Sequence, residues 1–190
     1  HILLAAEKLI AQRGYHGVSL REIAAEAGVP LALVGYYFGA KHELFHAIFA
    51  HWRPTIEARL ALLRDAVART QPQPEALHRI VRAFVEPVLR MRTSPEGEFY
   101  ALLVSRELLY VRDETDRVLR EFFDPLAHAF IDALHTVRPQ ASRAQAAWSY
   151  QFALGALLHH ISDRRVQRLS RGSNPPNDAA AAPLLIRFIT

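Results

Sequence analysis

Ten histidines are the first residues to test for chemistry, because several lie near each other or near carboxylates at helical spacing. His42 and His46 stand four apart. His128, Asp132 and His135 share one face if their segment is helical, and His159, His160 and Asp163 form a third set. Such spacings can ligate Zn²⁺, but a site needs three or four converging ligands with a supporting shell of hydrogen bonds. In a largely helical chain with this many histidines some fall into register by chance, so no metal and no other cofactor is expected. His159 or His160 facing a ligand cavity is the better reading. Glu96 with Glu98, and Asp113 with Glu114 and Asp116, fall where helices should begin, and acids there answer the helix dipole. The chain has no nucleophile elbow, no Gly-rich phosphate loop and no HExxH motif, which argues against an enzyme. Arg106 stands in an otherwise apolar helical stripe; it needs a partner, either Glu107 or Glu86, or an anionic ligand.

The elements that would position these residues are helices throughout, since no segment alternates with period two for long. The first runs to about Arg13, with Ile2, Ala6, Leu9 and Ile10 on one stripe and Gly14 as its stop. Ser19 and Glu22 have capping-box spacing, with Val18 and Ile23 placed as a hydrophobic staple. That second helix ends at Ala27-Gly28. A third spans about 30–38, and a fourth about 40–69 with Pro54 as an interior kink. Thr70-Gln71-Pro72-Gln73-Pro74 reads as a linker. Five more helices are expected at about 75–92, 95–111, 114–137, 142–169 and 180–190. Pro87 and Pro125 fall inside two of them, and Ser142 with Gln145 makes a second capping box. Arg164, Arg165 and Arg168 crowd the end of the eighth helix, where cations suit the dipole.

Composition sets the outer bounds. The 190 residues are long enough for a substantial core, and about half are apolar, but no run approaches a membrane span. The absence of cysteine rules out disulfides and thiolate metal sites and fits a cytoplasmic protein. The net charge is +4, and 21 of 23 cations are arginine, a bias that suits phosphate contacts. His1 leads directly into apolar residues with no cap, so further residues, with a basic arm among them, are expected upstream.

Two short helices joined at Gly28-Val29 and braced by a third have helix-turn-helix proportions. Ile23, Ala24, Ala27, Val29 and Val34 are placed to face inward. Leu31, Ala32, Leu33, Gly35, Tyr36 and Tyr37 are left for the outward face, with Phe38 assigned to the core. The stretch Ala11-Gln12-Arg13-Gly14-Tyr15-His16-Gly17-Val18-Ser19-Leu20-Arg21-Glu22-Ile23-Ala24-Ala25-Glu26-Ala27-Gly28-Val29, continuing to Tyr36-Tyr37-Phe38-Gly39-Ala40-Lys41-His42-Glu43-Leu44, resembles the signature of the TetR family of transcriptional regulators.

This resemblance covers residues 2–50 and implies an all-α, nine-helix architecture. A helix-turn-helix domain at about 1–46 would precede a ligand-binding and dimerisation domain at 47–190. It also implies roles. Ser19 and Arg21 would meet the phosphate backbone, Leu31, Ala32 and Leu33 would approach base edges, Tyr36 and Tyr37 would touch backbone or bases, and Lys41 would bind a phosphate. The last has separate support, because open amides plus an ammonium make an anion site at a helix N-terminus. Three positions depart from the pattern: Pro30 and Ala40 replace the usual caps, and Gly35 stands where an aromatic is common. Residues 1–50 carry Lys8, Arg13, Arg21 and Lys41 against Glu7, Glu22, Glu26 and Glu43, so the head lacks the basic footprint of most DNA binders.

The implied function is a ligand-responsive repressor that leaves a palindromic double-stranded operator when a hydrophobic small molecule binds. A greasy cavity is expected from Phe84, Val88, Met91, Leu102, Leu103, Arg106, Phe122, Leu126, Phe130, Tyr150, Leu154, Leu157 and His159. Trp148, Phe152, Leu154 and Ala156, with Leu184, Leu185, Ile186 and Phe188, exceed what one subunit can cover, and a homodimer through the last two helices is expected. The Pro54 kink would turn pocket strain into a change of head spacing. The alternatives are a dimeric small-molecule carrier with a vestigial helix-turn-helix, and an enzyme using His159 or His160.

Overall fold

A computed structural model of the chain describes residues 1–68, 73–95, 97–109 and 113–190. Most of the expected linker (70–72) and Glu96 lie outside the described residues. Among the described residues the protein is all-helical, with no strand and no helix long and apolar enough to cross a membrane.

The N-terminal head comprises α1 (Ile2–Arg13), a 3-10 turn (Tyr15–Gly17), α2 (Leu20–Ala27) and α3 (Leu31–Phe38). Its start and stop signals act as the residue types dictate. Ser19 and Glu22 form the complete capping box, and Gly28 ends α2 in the left-handed region at φ 67. Gly14, at φ 82, has a second constraint: a Cβ there would lie 2.6 Å from the Arg106 guanidinium. The body follows as α4 (Lys41–His51), α5 (Arg53–Ala68), α6 (Gln73–Thr93), α7 (Glu98–Leu109), α8 (Asp113–Val118), α9 (Asp124–Val137), α10 (Arg143–Ser162), α11 (Val166–Leu169) and α12 (Ala182–Ile189).

Three of the nine expected rods are interrupted. The fourth breaks at Trp52 (φ −91, ψ 3) into α4 and α5, so Pro54 lies in the first turn of α5 rather than at an interior kink. Its missing N–H costs nothing there, because that amide has no helical acceptor anyway. The seventh contains a wide turn, Leu119–Phe123, where the Asp124 amide donates to the Leu119 carbonyl. This turn delivers Pro125 to the start of α9, so Pro125 is not interior either. The eighth rod ends at Ser162, and Asp163 turns extended. Arg165 then donates to the Asp163 carboxylate from both its backbone and its guanidinium, which with the nearby His159 holds that acid down to about 2.

One apolar core runs from head to body without a seam. Its spine is aromatic. Tyr15 meets Phe45 at 5.0 Å, Phe45 meets Phe49 at 5.1 Å, and Phe49 reaches Tyr100 at 5.8 Å and Phe123 at 5.9 Å.

Candidate DNA-binding surface and effector cavity

In α3 the only fully buried side chain is Val34, which anchors the helix on the head. Leu31, Ala32, Leu33, Gly35, Tyr36 and Tyr37 all face solvent, with Tyr36 82% and Tyr37 64% exposed. An apolar rod of this kind, with a tyrosine pair packed edge-on at 5.3 Å, has no reason to stand in water unless something else covers it. A Cβ on Gly35 would meet nothing; the glycine leaves a flat stretch on the outer face rather than relieving a clash.

The neighbouring polar residues are more committed than their types suggest. The Ser19 hydroxyl accepts from the Glu22 amide, and both that hydroxyl and the Ser19 amide donate to the Glu22 carboxylate, which leads the lowering of the Glu22 pKa. Arg13 pairs with Glu22 at 2.9 Å, and Lys8 with Glu26 at 2.6 Å. Lys41 donates to the Tyr15 carbonyl, with its ammonium 4.2 Å above the Tyr15 ring. These contacts hold Lys41 at the mouth of α4, where Ala40 provides no side-chain cap. Arg21 is exposed on the first turn of α2.

Each histidine set has a member in a polar contact, while His135 Nδ1 and His160 Nε2 are enclosed without a hydrogen-bond partner. His46 pairs with Glu121 at 2.7 Å, His128 lies against Arg143, and the exposed His159 meets Asp163 at 3.2 Å.

Within the body, a cavity of about 60 Å³ is enclosed by α5, α6, α7, α9 and α10. Phe84, Val88, Met91, Leu126, Tyr150, Leu154 and Leu157 line it, as expected of them in sequence. Phe130 lines instead an adjoining cleft of about 420 Å³ between α6, α9 and α10 and the end of α12; Phe84 and Tyr150 border both spaces.

Five expected lining residues lie elsewhere. Arg106 points to Gly14 at the head–body junction, while Glu86 pairs with Arg82. Phe122 packs on His46, Phe49 and Arg53, because the wide turn before α9 rotates it outward from the cavity. Leu103 is fully buried in the packing of α7. Leu102 is half-buried on that helix beside the core, and His159 is exposed with Asp163.

Four residues that matter here were not singled out by type or spacing. Arg59 and Tyr100 line the cavity, and Arg59 has no carboxylate partner among the described residues. Trp52 stacks on Tyr100 at 4.7 Å and donates its indole N–H to Glu7 at 2.7 Å. Glu7, 2% exposed, also accepts from the Tyr100 amide, and burial raises its pKa to about 7. That amide belongs to the first turn of α7, so a carboxylate on α1 meets the start of a body helix, where an acid suits the dipole. Signals for two of these existed: Arg59 falls on the stripe of Ile56, Leu63 and Ala66, and Glu7 on that of Leu3, Ala6 and Ile10.

A capped helix, a left-handed glycine turn and an exposed, apolar second helix define a helix-turn-helix DNA-binding protein, here joined to a larger helical body with an internal cavity. Comparison with known proteins gives the family. Residues 2–48 match the family described as bacterial regulatory proteins, tetR family, and residues 82–190 match the tetracyclin repressor-like C-terminal domain. The chain belongs to the TetR family and is a DNA-binding transcriptional regulator. Among curated relatives it is 30% identical to the HTH-type transcriptional regulator BetI of Brucella anthropi, over 97% of this chain and 88% of that one. In fold it is similar to the TetR family regulator PfmR of Thermus thermophilus, with a TM-score of 0.65, 19% identity, and 99% and 92% of the two chains covered. It is also similar to AibR, solved with isovaleryl coenzyme A and operator DNA, with a TM-score of 0.64, 18% identity, and 98% and 95% covered.

Proposed function

We propose that this regulator is a homodimeric repressor whose DNA-binding head, about 1–46, is released from a palindromic operator when a hydrophobic small molecule occupies the body, 47–190. The observation that carries the reading is the outer face of α3, whose apolar and aromatic side chains stand in solvent while Val34 and the half-buried Phe38 hold the helix to the head. In the groove, Leu31, Ala32 and Leu33 approach base edges and Tyr36 and Tyr37 lie along them. Ser19, Arg21 and Lys41 meet phosphates, with Lys41 pre-set by Tyr15. The twofold partner packs against Trp148 and Phe152 of α10 and Leu184 and Phe188 of α12, all exposed. Two recognition helices then sit about one DNA turn apart, roughly 34 Å.

Coupling runs through α7, which lines the cavity with Tyr100, Ala101 and Val104 and packs along α1. The relative solved with both an acyl coenzyme A and an operator supports a ligand-gated reading by analogy of fold. Ligand binding shifts the population between head spacings by its differential affinity for them. The test is binding-site selection from random duplexes, followed by gel shifts. Tyr36→Ala and Arg21→Ala, each retaining native circular dichroism, should lose binding by about tenfold or more, as expected for a groove contact and a phosphate contact. Wild-type affinity in both, or failure to select any duplex, would sink the proposal.

A further inference from the structure

Arg59 is an anomaly in the body. It extends from α5 into the cavity lined by Phe84, Tyr100 and Tyr150, and its Nε is enclosed with no hydrogen-bond partner. The guanidinium makes one long contact, 3.5 Å from Nη2 to the Phe84 carbonyl. Its carbon lies 5.9 Å from the Phe84 ring and 6.0 Å from the Phe130 ring. Beside the arginine, the buried Tyr100 hydroxyl is also unpartnered.

Arginine stays charged at any physiological pH. Burial lowers its pKa, but not far enough for a guanidinium to shed its proton. A half-buried guanidinium whose Nε is enclosed among aromatic rings, with no carboxylate partner among the described residues, is costly, and so is an orphaned hydroxyl next to it. Both are acceptable if their partner arrives from outside. A cation with an adjacent O–H donor is the complement of a carboxylate, which accepts from both. The inner cavity, about 60 Å³, holds only such a head group and a few waters. Phe84 and Tyr150, whose rings touch edge to face at 5.7 Å between centroids, separate this cavity from the 420 Å³ cleft, which has room for an apolar body once a rotamer change parts the pair.

The geometry points to an effector that is a small organic anion: its carboxylate reaches Arg59 and Tyr100 in the inner cavity, and its apolar body parts the Phe84–Tyr150 ring contact to extend into the outer cleft. This deepens the ligand-gated reading above and rests on it for its regulatory meaning. The binding event itself is measured without DNA, so its failure leaves operator recognition untouched.

The experiment uses the full chain with octanoate and 4-phenylbutyrate as carboxylates, and octan-1-ol and octylammonium as neutral and cationic counterparts. Calorimetry and thermal unfolding are read on the wild type and on Arg59→Met, Tyr100→Phe and Arg138→Gln. Arg138 lies at the open cleft and controls for a surface anion site. At least one carboxylate should bind and raise the Tm, with the alcohol and the amine weaker by about tenfold or more, the worth of a charge-assisted buried bond. Arg59→Met should lose that binding while the unliganded protein becomes more thermostable, because an unpaired charge is replaced by a matching apolar chain. Tyr100→Phe should weaken binding partially, and Arg138→Gln should keep it. The assignment is overturned if neither carboxylate binds, if octan-1-ol binds as tightly as octanoate, if Arg59→Met binds as the wild type does, or if Arg138→Gln rather than Arg59→Met abolishes binding. A lower unliganded Tm in Arg59→Met would also overturn it, since the arginine would then be a structural fixture.

Discussion

Glu7 carries a proton-linked cost at the junction of head and body. In the unfolded chain it titrates near 4.5, while in the folded protein burial lifts it to about 7, against the opposing pull of the Trp52 indole and the Tyr100 amide. The folded state therefore holds a proton that the unfolded state gives up between those values. Stability is full below about pH 4.5 as far as this group is concerned and falls as the pH rises through 7, by up to about 3 kcal/mol. Glu7→Gln keeps an acceptor for the indole and cannot ionise. Urea denaturation at pH 5.5 and pH 8 should show the wild type losing stability at the higher pH and Glu7→Gln losing much less; equal losses would assign the pH dependence to other groups. Residues of this kind are only half legible in sequence. The position of Glu7 on an apolar stripe marks it for burial, but its partners lie on Trp52 and Tyr100, far along the chain. Arg106 shows the same limit from the other side: its stripe implies an inward arginine, and only the fold reveals that inward means toward Gly14.

Helix starts follow from local chemistry, which is why both capping boxes, Ser19 with Glu22 and Ser142 with Gln145, fall where their spacing places them. Helix breaks depend on what packs outside them. Pro54 marks a boundary only approximately; the break falls at Trp52, where the indole lies flat on Tyr100 and reaches Glu7. Pro54, the visible punctuation, only sits comfortably in the turn that follows. Two substitutions separate these causes. Pro54→Ala should change stability by no more than about 0.5 kcal/mol, since the ring occupies a first-turn position whose amide lacks a helical acceptor. Trp52→Phe retains a ring against Tyr100 but strips the indole donor from a buried carboxylate. It should cost about 1–3 kcal/mol at pH 8 and less at pH 5.5, where Glu7 is protonated. Chemical denaturation at the two pH values measures both, and a large effect of Pro54→Ala with none for Trp52→Phe would return the hinge to the proline.

For the whole molecule, the continuous core sets how head and body can move. Tyr15, Phe45, Phe49 and Tyr100 pass contact from the 3-10 turn of the head to the cavity wall, so the head cannot swing freely on its own linker. A shift of α7 must instead carry α1 with it, through Glu7 and through Arg106 against Gly14. Such a shift changes DNA affinity only if a second head is fixed relative to the first, which makes the assembly part of the mechanism. On α10, Trp148 and Phe152 stack at 5.8 Å in full view of solvent, flanked by the equally exposed Leu184 and Phe188 of α12. In the twofold dimer proposed above this strip meets its own copy, so one introduced cation would face another. Phe152→Arg should therefore yield a folded monomer in sedimentation at micromolar concentration, with operator affinity falling by about tenfold or more as the paired half-sites are no longer read together. A variant that stays dimeric and binds the selected operator as the wild type does would place the twofold contact on another face, and with it the proposed route from the cavity to the spacing of the two heads.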